Sequence, residues 1–388
     1  MKGKNYLKTV KYLLTFLLVV LASAALVLSG SSQPEKKLVE KAITNDLDLL
    51  KNLDSETTLD YISYRELFPD AADNTELSNE VTEVFSLFFR NFDYEIRSIT
   101  INQDHNTASA DLKLTTLDAD TLARDFMAAQ LKNEIMDAAQ QNTEEKPVSL
   151  EQRYLTLHSL LKNNTYRAVQ EDSTITLINK GSSQSPNWQI THTDTLENEL
   201  VGGLITYLSD PDLLSPESTL DIYLKALQEM DVEEMSNYLG LESILNTSDS
   251  AKNAIASALV QQFHQNFNYQ VTDTAINGYR AKVDTELTTF DSDSILSHYE
   301  DELNTYLASA DAVIDGVQKR YNRSHQLLLD SIENNQATTT VKASFHLVND
   351  GVSWKLENGS AELGNAIFGT LTTSPVSEDQ EPETDDPS

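Results

Sequence analysis

The sequence predicts an α+β protein made of two tandem copies of one domain, each a helix and a curved antiparallel sheet with a long helical insertion between strand pairs. Three observations predict it. The first is repetition: Asn91-Phe92-Asp93-Tyr94 returns as Asn266-Phe267-Asn268-Tyr269, and Leu114-Thr115-Thr116-Leu117-Asp118 as Leu287-Thr288-Thr289-Phe290-Asp291. The second is alternation: Ala108, Ala110, Leu112 and Leu114 in one copy, and Ala281, Val283, Thr285 and Leu287 in the other, alternate with polar residues. Period two marks a strand with one buried face. The third is helical spacing ahead of those strands, carried by Ile43, Leu47 and Leu50 and by Leu220, Tyr223, Leu224 and Leu227.

The shared markers keep their order, while the offset between copies shrinks from 177 residues at Asp54 and Asp231 to 166 at Trp188 and Trp354. So long a period is a duplicated whole domain, with insertions placed in loops of the first copy. Each copy opens with its amphipathic helix; Asp46 stands in the place of Tyr223, which narrows the first stripe. Tyr61 and Tyr238 follow, and Asn91, Tyr94, Asn266 and Tyr269 anchor the start of the first strand pair. The helical insertions run over about residues 120–164 and 293–335, where Arg153-Tyr154 and His158 match Arg320-Tyr321 and His325. A second strand pair surrounds each tryptophan, over 174–179 and 188–193, then 339–349 and 353–357. Asn349-Asp350-Gly351 is a tight-turn signal that makes the later pair a hairpin. Leu196, Leu200, Gly202 and Leu204 align with Leu363, Ile367, Gly369 and Leu371, so both copies close on the same short helix.

Ser209-Asp210-Pro211-Asp212 and Ser215-Pro216 interrupt helix and strand alike and place a joint between the copies. The expected division is a signal peptide or membrane anchor at 1–34, repeat domains at 35–209 and 213–372, and an acidic disordered tail at 373–388. Each repeat is large enough to bury its own core.

Composition narrows function by exclusion. A formal charge of −33 repels nucleic acid and anionic surfaces. The absence of cysteine removes disulfides, thiolate metal sites and cysteine nucleophiles together. It also suits an exported protein of a Gram-positive bacterium better than a secreted eukaryotic one, a reading that the sequons at Asn163, Asn246, Asn322 and Asn358 do not reverse.

At the N-terminus Lys2, Lys4, Lys8 and Lys11 precede an apolar run from Tyr12 to Leu28 and then Ser29-Gly30-Ser31-Ser32. That is the order of an export signal. Seventeen apolar residues sit at the short limit for a spanning helix, so cleavage and retention are both open. Either way the repeats face outward, and membrane contact is expected through this segment only. Leu28-Ser29-Gly30-Ser31 resembles the lipobox of bacterial lipoproteins, with Ser31 where the lipidated cysteine stands. The resemblance implies descent from a surface lipoprotein, without the thioether-linked lipid. Tyr223-Leu224-Lys225-Ala226-Leu227 with Met230-Asp231 is similar to the opening helix of uncharacterised Gram-positive surface lipoproteins with tandem nuclear-transport-factor-two-like, cystatin-like cone domains. That resemblance implies a cone-shaped α+β fold for each copy, from which the long insertions depart.

Candidate chemistry is sparse. Tyr154 with His158, and Tyr321 with His325, share a helix face one turn apart and are the candidate lining of a ligand pocket; packing on the sheet explains the same pattern. Asp118/Asp120 and Asp291/Asp293 stand where a strand meets a helix, the place of a capping aspartate, and lack the further carboxylates and glycine of a calcium loop. Ser159-Leu160-Leu161-Lys162 matches a two-position motif of penicillin-binding enzymes, but the second copy carries Gln326-Leu327-Leu328-Leu329 and no Lys-Thr-Gly follows. No zinc-protease helix, phosphate loop or dinucleotide loop is present, so no catalytic residue, metal ligand or cofactor is expected.

Two classes of function remain. One is a non-enzymatic extracytoplasmic envelope module that holds an envelope protein, a peptide or a wall polymer, where two linked weak sites act as one stronger site. The other is a small-ligand-binding protein or degenerate enzyme with a pocket in one or both cones. In both, Trp188 and Trp354 are core anchors of the last strands.

Overall fold

A computed structural model describes residues 32–51, 67–68, 78–102, 106–140, 149–182, 185–239 and 250–372. The export segment, Asp54, Tyr61, the sequon at Asn246 and the acidic tail lie outside these residues. The first copy contains α1 (Ser32–Lys51), α2 (Asn79–Phe88), β1 (Asp93–Asn102), β2 (Thr107–Leu117), α3 (Ala119–Ala139), α4 (Leu150–Asn163), β3 (Ala168–Asn179), β4 (Trp188–Ile190) and α5 (Asp194–Leu200), followed by α6 (Leu204–Leu208). The second contains α7 (Pro216–Glu229), α8 (Val232–Leu239), α9 (Ser250–Asn266), β5 (Asn268–Asn277), β6 (Arg280–Phe290), α10 (Ser292–Leu307), α11 (Ala310–Ile314), α12 (Val317–Glu333), β7 (Thr338–Asn349), β8 (Trp354–Leu356) and α13 (Ala361–Phe368).

The fold is α+β with two separate four-stranded antiparallel sheets, ordered β1-β2-β3-β4 and β5-β6-β7-β8, and helices inserted between the second and third strand of each. The duplication extends to fine geometry. Register slips between Ile96 and Ser98 in β1, and at the matching place between Val271 and Asp273 in β5. Such a bulge adds local twist. Asp118 accepts the Thr121 amide at 3.2 Å, and Asp291 accepts those of Asp293 and Ser294 at 3.1 and 3.2 Å, so both aspartates cap the insertion helices.

By packing, the chain forms two compact units that do not follow the repeat boundary. Of the described residues, one comprises 32–51, 92–102, 106–115, 170–182 and 185–197; the other comprises 67–68, 78–91, 116–140, 149–169, 198–239 and 250–372. In the first unit α1 buries Val39, Ile43, Leu47 and Leu50. Polar contacts fix its angle on the sheet: Tyr94 Oη donates to Asp48 at 3.0 Å, Lys51 meets Asp93 at 2.6 Å, and His192 faces Asp46 at 3.4 Å. The Asp46 hydrogen bond raises the His192 pKa despite partial burial. In the other unit Tyr269 Oη donates to Asp221 of α7 at 2.5 Å, so the strand tyrosine holds its opening helix in both copies.

The second unit takes in the helices of the first copy. Leu131, Ile135 and Ala139 of α3 are buried in the same cluster as Leu220, Leu224 and Leu227 of α7 and Met235 and Leu239 of α8. Lys132 pairs with Glu229 at 2.5 Å, Gln140 donates to Glu234 at 2.9 Å, and Asn237 donates to the Ala139 carbonyl at 3.1 Å. The joint at 209–215 is packed rather than bare. Leu213 and Leu214 are buried, Arg124 donates to the Leu213 carbonyl, and Asp212 accepts the Trp354 indole at 2.9 Å and the Asn349 amide at 3.0 Å.

Gly202 and Gly369, aligned by sequence, have φ of 63° and 52°. A Cβ on Gly202 would lie 2.8 Å from Thr116 Oγ1, and one on Gly369 2.8 Å from Ser292 Oγ. Left-handed backbone and close approach both require glycine here. Gly202→Ala and Gly369→Ala are each expected to cost about 1–3 kcal/mol in denaturant unfolding, whereas Gly278→Ala, which meets nothing within 4 Å, carries the φ penalty alone. Equal losses at all three positions would show that close approach contributes nothing.

Candidate functional site

In α4 the chain is started by Ser149, whose hydroxyl accepts the Gln152 amide while Gln152 returns to the Ser149 amide. This capping box fixes the rotation of the helix and turns Tyr154, Leu157 and His158 inward. Tyr154 is fully buried, edge-on to Phe68 at 5.3 Å between ring centroids and 5.8 Å from Phe85. Phe126 stacks on the far side of Phe68 at 5.3 Å. The place sought for a ligand is occupied by side chains. His158 is also buried, and its Nε2 lies 2.8 Å from Glu83 Oε2. That hydrogen bond lowers the Glu83 pKa.

The second copy treats the same residue types differently. Tyr321 is exposed on α12 and lies tilted against half-buried His325, with centroids 4.1 Å apart. His325 Nδ1 donates to the Tyr321 carbonyl at 3.0 Å. The two candidate pairs, one for each copy, therefore fall into two environments, an aromatic interior and a helix surface.

The sequence motifs resolve without chemistry. Ser159 is exposed and accepts a hydrogen bond from Asn163 at 3.2 Å. Among the described residues no group of three or more His, Asp or Glu could hold a metal ion. Trp188 and Trp354 are 6% and 3% exposed. The Trp354 indole donates to Asp212, while that of Trp188 has no hydrogen-bond partner among the described residues.

A different surface stands out. Between α10 and α12 lies an open cleft of about 450 Å³, bounded by Glu302, Tyr306, Asp311, Asp315 and Arg323, with Leu327 at its floor. Tyr306 Oη donates to Asp315 at 2.9 Å, and Ser309 caps α11 through the Ala312 amide. This wiring holds α11 as a projecting tip. The aliphatic residues in and around it are bare: Val313 is 83% exposed and Ile314 79%, Val317 at the start of α12 82%, and Leu307 at the end of α10 52%. So many adjacent exposed aliphatic side chains are uncommon on the surface of a folded chain. Sequence reasoning missed them because a five-residue helix is too short to show a period.

No protein-family model and no curated protein matches the chain. Among solved structures, the crystal structure of YcdA, a provisionally assigned lipoprotein from Bacillus subtilis, aligns over 72% of this chain and 94% of its own at 11% identity, with a TM-score of 0.26. A likeness at that TM-score carries no argument.

Tyr154→Ala is expected to destabilise the protein by about 3–5 kcal/mol, the range for emptying a buried aromatic site. Tyr321→Ala should stay within about 0.5 kcal/mol, as at other surface positions. Denaturant unfolding measures both, and equal effects would contradict the two environments.

Proposed function

We propose that the protein is a non-enzymatic, extracytoplasmic interaction protein of the bacterial cell envelope, secreted or held at the outer face of the cytoplasmic membrane by its N-terminal segment. The observation that carries this reading is the exposed aliphatic tip of Leu307, Val313, Ile314 and Val317. Water opposes such a cluster, and burying it against another apolar surface is favourable. A protein or peptide with an aliphatic patch offers that surface. A wall polymer, rich in hydroxyls and charge, does not. The basic N-terminal lysines and apolar run support export; among the described residues no helix is long and apolar enough to cross a membrane. The finer lineage, tandem nuclear-transport-factor-two-like domains, is supported by an opening helix followed by a four-stranded antiparallel sheet in sequence order.

A second reading rests on the cleft. Glu302, Asp311 and Asp315 line it around Arg323, a net negative setting that suits a small cationic ligand beside Tyr306.

A photo-crosslinking side chain at position 314, with position 342 on an exposed stretch of β7 as control, tests the first reading in intact envelopes. A discrete protein adduct from position 314 only, lost when Val313→Asp and Val317→Asp are added, is the expected result. No adduct, together with a small organic cation that stabilises the wild type but not Glu302→Gln, would favour the second reading.

A further inference from the structure

Resting on the reading of the tip as a docking surface, we infer that its partner is a second copy of this chain, whose α1 it covers, so that copies join head to tail. The warrant is an interface the chain already makes within itself. Helix α3 of the first repeat docks on α7 and α8 of the second, burying Leu131, Ile135 and Ala139 and pairing Lys132 with Glu229.

The caps Asp118 and Asp291 set the alignment of α3 with α10 at an offset of 173 residues. Leu131 and Ile135 then fall on Asn304 and Ala308, both exposed with Leu307 beside them, while Ala139 falls on Ala312, which is buried. The second repeat therefore carries a helix at the same place with positions 304, 307 and 308 uncovered, and the apolar part of this surface is supplied by Leu307, Val313, Ile314 and Val317.

The receiving surface has a counterpart as well. Ile43 and Leu47 align α1 with Leu220 and Leu224 of α7 at an offset of 177. Thr219 and Ala226, buried in α7, correspond to Ala42, which is partly exposed, and Leu49, which is 42% exposed. Leu38, also 42% exposed, lies on the same stripe as Leu49, eleven residues and three turns away. Charge agrees with this pairing. Helix α10 carries Asp293, Glu300, Asp301 and Glu302 and no Lys or Arg. Helix α1 presents Lys36, Lys37 and Lys41, all exposed, against one exposed acid, Glu40, while Asp46 and Asp48 are engaged by His192 and Tyr94. Because donor and acceptor surfaces differ, the contact is heterologous and extends to chains unless a ring closes.

The chain has no cysteine of its own, so single introduced thiols report the contact cleanly. Full-length chains carrying Leu49→Cys and Leu307→Cys are mixed and mildly oxidised. A disulfide-linked pair in the mixture, little self-pairing of either variant, and a ladder of higher species from the double variant are expected. No mixed pair, or self-pairing of Leu49→Cys at the same yield, would overturn the inference. If position 314 crosslinks to a different protein while no mixed disulfide forms, the tip remains a docking surface and the head-to-tail contact falls; absence of both results removes both proposals.

Discussion

Leu131, Ile135 and Ala139 have no place to go except the cluster built by α7, α8 and the second sheet. Removing one buried aliphatic side chain of the larger kind costs about 2–5 kcal/mol, a sizeable share of the 5–15 kcal/mol that holds an ordinary domain together. The polar contacts around them, Lys132 to Glu229 and Asn237 to the Ala139 carbonyl, set the register of the docked helix rather than its strength. From this burial follows the division of the molecule. The first repeat keeps α1 and most of its sheet in one compact unit, and its insertion helices belong to the other.

Duplication preserved backbone devices more faithfully than side-chain environments. The bulge in the first strand, the aspartate caps, the strand tyrosine bound to an opening-helix aspartate and the left-handed closing glycine occur in both copies. In the opening helix the acid has moved by one turn, from Asp221 to Asp48, and the tyrosine contact persists. By contrast Tyr154 is an aromatic core residue and Tyr321 a surface one. Geometry of the chain is hard to change without unfolding it. The surroundings of one side chain are free to drift once the neighbouring helix has another partner.

That difference explains what could be read from the sequence. Alternation in 107–117 and 280–290 specified strands because one face must be buried. Asp118 and Asp291 announced helix starts through chemistry confined to three residues. The turn at Asn349-Asp350-Gly351 was legible because Gly351 takes a φ of 89°. The docking of α3 was not legible, since periodicity shows that a helix has a buried face but not which element covers it. Tyr154 and Tyr321 look identical in sequence for the same reason. The packed joint at 209–215 was hidden too, because Pro211 and Asp212 read as a linker until Trp354 and Asn349 are seen to bond there.

Hydrogen exchange on the full chain carrying Ile135→Ala tests the central claim most directly, because it reads which amides depend on a first-repeat side chain. Docking of α3 in the second-repeat core predicts faster exchange in α7, α8 and β6 as well as in α3 itself, since losing the buried group lowers the opening free energy of that whole cooperative unit. Faster exchange confined to residues 119–163, with α7, α8 and β6 unchanged, would contradict it.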